Sequence, residues 1–230
     1  MLDKAKHEIA LRNILRDIYQ NKELSTKLAF KGGTCLYFFY ELPRFSVDLD
    51  FNQLVDFDPD QITQILEKYL DVEDFHLHSQ TKTLFWLGSY EKGKQKVKIE
   101  IGRRDYPDKY TSKVFFGISV KTMQPEYMLA HKLCAITDRK QLRNRDLFDT
   151  WFMLKNGFEI NQEIIQLRMK QSAASYLREI QSLVKKLGSR YQILTDLGEV
   201  VDDNQKNWIK DHLLSELLFE LDNKILELSG

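Results

Sequence analysis

The 230-residue sequence contains little glycine, proline or cysteine: 10, 4 and 2 residues, respectively. So few glycines and prolines exclude a collagen-like chain and a low-complexity linker, which are rich in these residues. The two cysteines, Cys35 and Cys134, are separated by about a hundred positions, which is neither a metal-ligand nor a redox spacing. We therefore expect two buried thiols in a reducing compartment.

Long hydrophobic runs are also absent. The N-terminus carries charges from Asp3 to Glu8, where a signal peptide would be apolar, and no later run approaches the roughly 18 apolar residues of a membrane span. We expect a soluble, cytoplasmic protein that has no membrane partner. Because 34 Lys and Arg balance 34 Asp and Glu, the average charge does not suggest a strongly basic nucleic-acid-binding protein.

Apolar residues account for 43% of the chain and aromatic residues for 12%, enough to bury a core and to exclude an intrinsically disordered segment. Leu11, Ile14 and Ile18 recur at helical spacing, which predicts a helix over residues 3–20 with Asp3 as its N-cap. Short helical patterns over residues 34–40 and after Pro59 predict two further helices.

The hydrophobic period changes along the chain. Strict alternation in residues 47–51 and 97–101 indicates strands, whereas helical spacing dominates beyond Pro125. We therefore predict an α+β protein, with an α/β domain over residues 1–123 and an all-helical domain over residues 124–230, joined tightly. A glycine-containing turn at residues 91–94, between two alternating runs, predicts a hairpin.

A polar motif follows the first predicted strand. This strand leads into Gly32-Gly33-Thr34 and then into a short helix, which places main-chain N–H groups at a helix N-terminus. The glycines let the backbone approach a ligand closely. The motif therefore predicts a binding site for a phosphate or a similar anion.

Acidic side chains mark the next strand. Because side chains alternate along a strand, Asp48 and Asp50 share one face, about 7 Å apart. They repel each other unless a cation lies between them, and oxygen ligands favour Mg²⁺ or Mn²⁺. Glu100, on a neighbouring strand, would be a third ligand, with Lys98 on the same face. Three carboxylates and two metal ions beside an anion site indicate in-line displacement at phosphorus.

The order of these motifs resembles that of a known family. Gly32-Gly33-Thr34, followed after thirteen residues by Asp48-Leu49-Asp50, is similar to the first motif of the nucleotidyltransferases related to DNA polymerase β. The flanking sequence over residues 44–51, RFSVDLDF, resembles the RxSxDxDF version found in AbiEii/AbiGii-type nucleotidyltransferase toxins. The later motifs of that family are matched by Lys98-Ile99-Glu100, by Lys132 in a predicted helix, and by Arg145-Asp146-Leu147-Phe148-Asp149.

The resemblance implies a nucleotidyltransferase fold with a mixed sheet, and roles for individual residues. Divalent metal, Mg²⁺ or Mn²⁺, would be bound by Asp48, Asp50 and Glu100. The residues needed for catalysis would be Asp48, Asp50, Lys132 and Asp146. The nucleotide would be bound by Gly32, Gly33, Thr34, Arg44, Ser46 and Lys98. The implied partners are an NTP, an RNA acceptor and a cognate antitoxin protein.

Simpler interpretations exist for several of these residues. An Asp-x-Asp strand is usually a solvated edge, although the upstream Gly-Gly-Thr motif argues against that here. The Arg-Asp-x-x-Asp motif at residues 145–149 is also typical of a helix start, and Lys132 could be a surface lysine. No histidine shows metal-ligand spacing to another, so we interpret all five as structural.

The zero net charge is a cancellation between segments. Residues 47–76 hold nine acidic side chains and one basic, whereas residues 82–121 hold ten basic and four acidic, and residues 131–145 hold five basic and one acidic. A protein that binds Mg²⁺ together with an NTP and a nucleic acid would need both signs of charge.

We therefore predict a metal-dependent nucleotidyltransferase toxin of a toxin–antitoxin, abortive-infection system that acts in phage defence. It would transfer NMP from an NTP to an acceptor with release of pyrophosphate, and the resemblance points to the 3′ end of tRNA. The alternatives are transfer to a small-molecule or protein hydroxyl, and a non-catalytic module that binds RNA or a partner.

Overall fold

The computed structural model describes residues 3–91, 96–188 and 191–229. The chain divides into two compact units, residues 1–124 and 125–230. Within the described residues, the first unit holds a seven-stranded mixed sheet with helices, and the regular structure of the second is helical. The predicted α+β class is confirmed. No helix in the described part of the chain is both long and apolar enough to cross a membrane.

The first unit begins with two helices, continues with helices and strands in mixed order, and ends with five successive strands among its described residues. The helices are α1 (Lys4–Gln20), α2 (Leu24–Lys27), α3 (Gly32–Phe39) and α4 (Asp60–Leu66). The strands are β1 (Leu28–Lys31), β2 (Asp48–Gln53), β3 (Asp71–His78), β4 (Thr83–Ser89), β5 (Lys96–Gly102), β6 (Tyr110–Phe115) and β7 (Ile118–Met123). Their order in the sheet is β3-β4-β5-β2-β1-β7-β6. The β2–β5 and β1–β7 pairs are parallel, and the other pairs are antiparallel.

Helix α1 confirms the first predicted element. It begins after Asp3, whose side chain accepts a hydrogen bond from the main-chain N–H of Lys6. Its apolar stripe is fully buried, at Leu11, Ile14, Leu15 and Ile18. Because burying one such side chain contributes roughly 1.5–3 kcal/mol, this stripe holds α1 against the rest of the unit.

Strand β2 lies inside the sheet, between β1 and β5. Leu49 and Phe51 are buried on one face, whereas Asp48 and Asp50 lie partly exposed on the other, as predicted. The parallel pairing of β2 with β5 aligns Asp48 with Lys98 and Asp50 with Glu100. The predicted adjacency of Glu100 to the aspartates is confirmed.

The antiparallel pairing of β4 with β5 agrees with the predicted hairpin, although residues 92–94 of the predicted turn lie outside the described residues. Strand β3 was not predicted. It pairs with β4 at the edge of the described sheet, and a bulge between Val72 and Asp74 interrupts its register. Such a bulge breaks the alternation by which a strand is identified from sequence.

The second unit contains helices α5 (Pro125–Asp138), α6 (Asn144–Lys155), α7 (Gln162–Met169), α8 (Ala173–Lys186) and α9 (Asp203–Ser229). Helix α9 packs against α6 and α8. The N-terminus of α6 is tied to a neighbouring loop because the buried Asn144 side chain donates to the carbonyl oxygens of Gln192 and Thr195, each at 3.0 Å. Cys35 and Cys134 are buried free thiols, as predicted.

Candidate functional site

The glycine pair lies where β1 ends and α3 begins. Helix α3 starts at Gly32, two residues before the predicted start, so the glycines are part of its first turn. Gly32 has a φ of +80°, which favours glycine, and a Cβ at this position would lie 3.0 Å from Asp50 Cβ. A Cβ at Gly33 would lie 2.7 Å from Arg44 Nη2 and 2.9 Å from Ser46 Oγ. The turn is therefore packed directly against the segment that carries the aspartates.

Three polar side chains support this turn from within the protein. The buried Thr34 hydroxyl contacts Ser46 Oγ at 2.9 Å and donates to the main-chain oxygen of Asp48. The Arg44 side chain is also buried, and its Nη1 donates to the Phe45 oxygen at 3.0 Å. These contacts fix residues 44–48 against α3. Thr34, Arg44 and Ser46 were predicted as nucleotide contacts, and the structure shows their side chains in contact with protein.

The carboxylates form a row with a lysine inside it. Lys98 Nζ lies 3.4 Å from Asp48 Oδ2 and 3.3 Å from Glu100 Oε1. Burial acts to lower the pKa of Lys98, but Asp48, Asp50 and Glu100 outweigh it and raise that pKa above its ordinary value. Lys98 therefore stays charged and neutralises part of the repulsion among the acidic groups.

Two residues that the sequence analysis missed adjoin this row. Lys31 pairs with Asp50 in the β1–β2 register, and burial lowers its pKa even though Asp50, Asp108 and Glu100 favour its charged form. His7, fully buried in α1, lies with Nε2 2.8 Å from the carbonyl oxygen of Val47. Burial lowers the pKa of His7, so a neutral imidazole donates this bond next to Asp48. Lys31 had a signal in the sequence, since it directly precedes Gly32.

The chemistry of the donors fits a hard divalent cation, because carboxylate oxygens are the ligands that Mg²⁺ and Mn²⁺ prefer. The positions of these carboxylates do not by themselves form a closed metal site. Over residues 3–91, 96–188 and 191–229, no three His, Cys, Asp or Glu side chains are grouped closely enough to enclose an ion. The Lys98 ammonium lies between Asp48 and Glu100, where it contacts oxygens that a metal would use. Metal binding by all three carboxylates therefore requires Lys98 to move.

The motif residues of the second unit form a largely buried cluster within that unit. Lys132 Nζ, on α5, donates to Asp146 Oδ1 at 3.0 Å and lies 2.7 Å from Asp149 Oδ2, both on α6. Arg139 Nε lies 3.2 Å from Asp146 Oδ2, an ion pair without hydrogen-bond geometry. The exposed fraction is 4% for the Asp146 side chain and 0% for that of Asp149. Lys132 is therefore not a surface lysine, and Asp149 does more than begin a helix.

Many basic side chains of the positive segments are paired with acids. Arg103 lies 3.4 Å from Asp56, and Arg143 lies 3.6 Å from Asp196. In addition, Arg145 Nε donates to the main-chain oxygen of Asp196. The positive charge of these segments is thus partly neutralised within their own units. The charge pattern of the sequence therefore does not by itself indicate a polyanion-binding site.

The chain was compared with known protein families and with solved structures, and nucleotidyltransferases are found in both comparisons. The family described as "Nucleotidyl transferase AbiEii toxin, Type IV TA system" matches residues 13–218. The crystal structure of JHP933 from Helicobacter pylori is similar over 100% of this chain and 95% of its own, with 25% identity and a TM-score of 0.67. A second H. pylori structure, of a protein assigned as a nucleotidyltransferase, is similar over 97% and 95%, with 26% identity and a TM-score of 0.66.

A more distant structure, an antigenic nucleotidyltransferase-like protein from Paracoccidioides brasiliensis, shares the fold. It has 17% identity and a TM-score of 0.52, over 78% of this chain and 90% of its own. Among curated proteins, none matches the chain significantly.

Proposed function

Since the chain belongs to the AbiEii family of nucleotidyltransferase toxins of type IV toxin–antitoxin systems, we propose that it is a metal-dependent enzyme that transfers NMP from an NTP to an RNA acceptor. The observation that carries this proposal is the row of Asp48, Asp50 and Glu100 beside the Gly32-Gly33 turn. In this proposal residues 1–123 are the nucleotidyltransferase domain and residues 124–230 are a helical domain.

Asp48, Asp50 and Glu100 would hold the divalent cation. When bound, it would activate the attacking hydroxyl and neutralise the leaving pyrophosphate. The acceptor hydroxyl would lose its proton to water as its oxygen forms a bond to the α-phosphorus. The bond from that phosphorus to the α–β bridging oxygen would break at the same time, which releases pyrophosphate. By holding the cation, the carboxylates would determine where the negative charge of the leaving pyrophosphate is neutralised during the displacement.

Main-chain N–H groups of the first turn of α3, at Gly32, Gly33 and Thr34, would bind the β and γ phosphates. The Thr34 hydroxyl is already engaged with Ser46 and Asp48, so Thr34 would act through its backbone. Arg44 and Ser46 would support the turn beneath the nucleotide. Lys98 would exchange its carboxylate contacts for phosphate oxygens when the metal binds, because its positive charge suits either partner.

The proposed acceptor and partner rest on the resemblance to the family. The acceptor we propose is the 3′ end of tRNA in the cytoplasm. Its modification would block aminoacylation and arrest growth, and growth arrest would act in phage defence. The family of type IV toxin–antitoxin toxins also implies a cognate antitoxin protein. Lys132 and Asp146 would be required for activity because they hold α5 and α6 together.

A transfer assay tests the proposal. We would incubate the full chain with each α-³²P-labelled NTP, Mg²⁺ and total RNA, and compare the wild type with Asp48→Asn and Asp50→Asn. Asp56→Asn is a matched control, because Asp56 is a neighbouring aspartate whose side chain is 88% exposed. We expect label in small RNA with the wild type and the control, and none with the other variants or with EDTA.

The same assay separates the alternatives. Label in protein or small-molecule fractions but not in RNA would overturn the proposed RNA acceptor. The proposal that the protein is a nucleotidyltransferase would stand. Equal labelling by the wild type and both aspartate variants would overturn the metal assignment. Growth arrest that persists in Asp50→Asn, without any transfer, would favour a non-catalytic binding module.

A further inference from the structure

Two histidines on β3 lie together, away from the proposed catalytic row. His76 and His78 share one face of this edge strand, because side chains repeat every two residues. Their Nε2 atoms are 2.9 Å apart. The sequence interpretation treated all five histidines as structural, yet an i, i+2 pair on a strand brings two imidazoles onto the same face.

The rings are inclined to each other rather than aligned end to end. Their planes meet at 86° and their centroids are 4.2 Å apart, and in this arrangement the Nε2–H of one ring can donate a hydrogen bond to Nε2 of the other. A metal ion would replace this hydrogen bond, with both Nε2 atoms unprotonated. Both also pack on Phe85, with centroid distances of 4.8 and 5.6 Å. The aromatic contact holds the two nitrogens near one point in space.

Asp74 lies beside His76. Its Oδ2 is 3.1 Å from His76 Nδ1 without hydrogen-bond geometry, and its negative charge favours a proton on Nδ1, the tautomer that leaves Nε2 for a metal. A carboxylate behind a ligating histidine is the usual support for metal-bound imidazole. The side chains of His76 and Asp74 are 39% and 49% exposed, so an ion could enter and keep water ligands.

We propose that His76 and His78 form a binding site for a divalent transition metal of the Cu²⁺ or Ni²⁺ class, supported by Asp74. Two nitrogens 2.9 Å apart subtend about 90° at an ion that lies about 2.05 Å from each, the angle of adjacent ligands in square-planar and octahedral complexes. A tetrahedral Zn²⁺ at the same bond length would separate them by about 3.3 Å. Because Cu²⁺ binds nitrogen ligands more tightly than Zn²⁺ in the general order of divalent-metal affinities, Cu²⁺ is the first ion to test.

This site would be distinct from the proposed magnesium site. His76 lies in the same cross-sheet row as Phe85, Glu100 and Asp50, on the same face of the sheet. Three strand spacings of about 4.8 Å separate β3 from β2, which is beyond the reach of a shared ion. Its imidazole ligands also select a different class of metal from the carboxylates.

The test is a titration of the full-length, untagged chain with Cu²⁺ and with Ni²⁺, by calorimetry and, for Cu²⁺, by electron paramagnetic resonance. Asp48→Asn/Asp50→Asn serves as the background, so that oxygen ligands of the other site do not contribute. We expect one Cu²⁺ per chain, with hyperfine splitting from two nitrogens. Asp74→Asn should weaken binding about tenfold or more, and His76→Ala or His78→Ala should weaken it further.

Exposed His212 provides the matched control, since His212→Ala removes an imidazole from a helix of the other unit. Thermal unfolding of each variant without metal checks that the fold is intact. The proposal is overturned if His76→Ala/His78→Ala binds Cu²⁺ with unchanged affinity and spectrum, if only one of the two histidines matters, or if the wild type shows no two-nitrogen signal.

Discussion

Two charged clusters carry the motif residues of this chain, and they differ in their access to solvent. The sheet cluster, formed by Lys31, Asp48, Asp50, Lys98 and Glu100, lies on a partly exposed face of the first unit. The helical cluster, formed by Lys132, Arg139, Asp146 and Asp149, has both aspartates buried. Each places a lysine between two carboxylates, at distances of 3.3 and 3.4 Å in the first and 2.7 and 3.0 Å in the second.

The difference decides what each cluster can do. Partly exposed charges are screened by water, so they can exchange one partner for another at little cost in stability. Buried charges have lost their hydration, so every one of them depends on its partner. We therefore infer that the sheet cluster is suited to binding a metal and a nucleotide, whereas the helical cluster holds α5 and α6 in place.

The largest effect is expected for Lys132→Ala. It leaves the carboxylates of Asp146 and Asp149 close together without Lys132, and breaking a buried pair in this way costs about 3–5 kcal/mol. Urea denaturation followed by circular dichroism would measure the loss in free energy of unfolding. Lys140→Ala, at an exposed lysine in the same segment, should change it by less than about 0.5 kcal/mol.

A Lys132→Ala protein of wild-type stability that had lost transferase activity would contradict the structural role. It would show that Lys132 acts in the reaction itself, and the contrast between the clusters would then disappear.

The next effect concerns the sheet cluster. Asp48→Asn or Asp50→Asn should lower the transfer rate at least about 10²–10³-fold, because charge stabilisation of the reacting phosphate is lost. The free energy of unfolding should change by less than about 1 kcal/mol, since these side chains are not fully desolvated. Single-turnover transfer assays and urea denaturation on the same samples measure the two quantities. A loss of stability comparable to that of Lys132→Ala would make the sheet cluster structural too.

Gly32→Ala should destabilise the chain by about 3 kcal/mol. An alanine at a φ of +80° is strained by about 1–3 kcal/mol, and its methyl group would also collide with Asp50. Gly117→Ala is an informative control, because Gly117 has the same φ of +80° but, its two chain neighbours aside, no atom of the described residues lies within 4 Å of its Cβ position. Equal losses in thermal denaturation for both variants would show that the close approach to Asp50 contributes nothing.

The smallest effect is expected for Thr34→Val, which keeps the shape of the side chain but removes its hydroxyl. The main-chain oxygen of Asp48 and the Ser46 hydroxyl lose a partner, at a cost of about 1–2 kcal/mol. Thr34→Ser should retain most of the stability. If Thr34 binds phosphate through its backbone alone, the KM for NTP should remain within about threefold of the wild type in both variants. A rise in KM with Thr34→Val only would assign the hydroxyl to the nucleotide.

Several features were predictable because they depend on local periodicity. The alternation over residues 47–51 predicted which face of β2 carries Asp48 and Asp50, and the helical stripe predicted α1 together with its cap at Asp3. The edge strand β3 could not be predicted in the same way, because its bulge and its exposure on both faces remove the period-two pattern. Lys31 and His7 were missed because their importance lies in contacts with residues that are distant in the chain, Asp50 for Lys31 and Val47 for His7.

The sequence by itself determined the chemistry that is available: carboxylates on one face of a strand, and glycines at the start of a helix. It did so because side-chain direction follows from the backbone period alone. Only the tertiary structure decided which charges are buried and which partner each one has. It directed the Thr34 hydroxyl inward to Ser46, placed Lys98 between Asp48 and Glu100, and buried Lys132 between two aspartates. These pairings join residues far apart in the chain, and their strength depends on the water that packing removes.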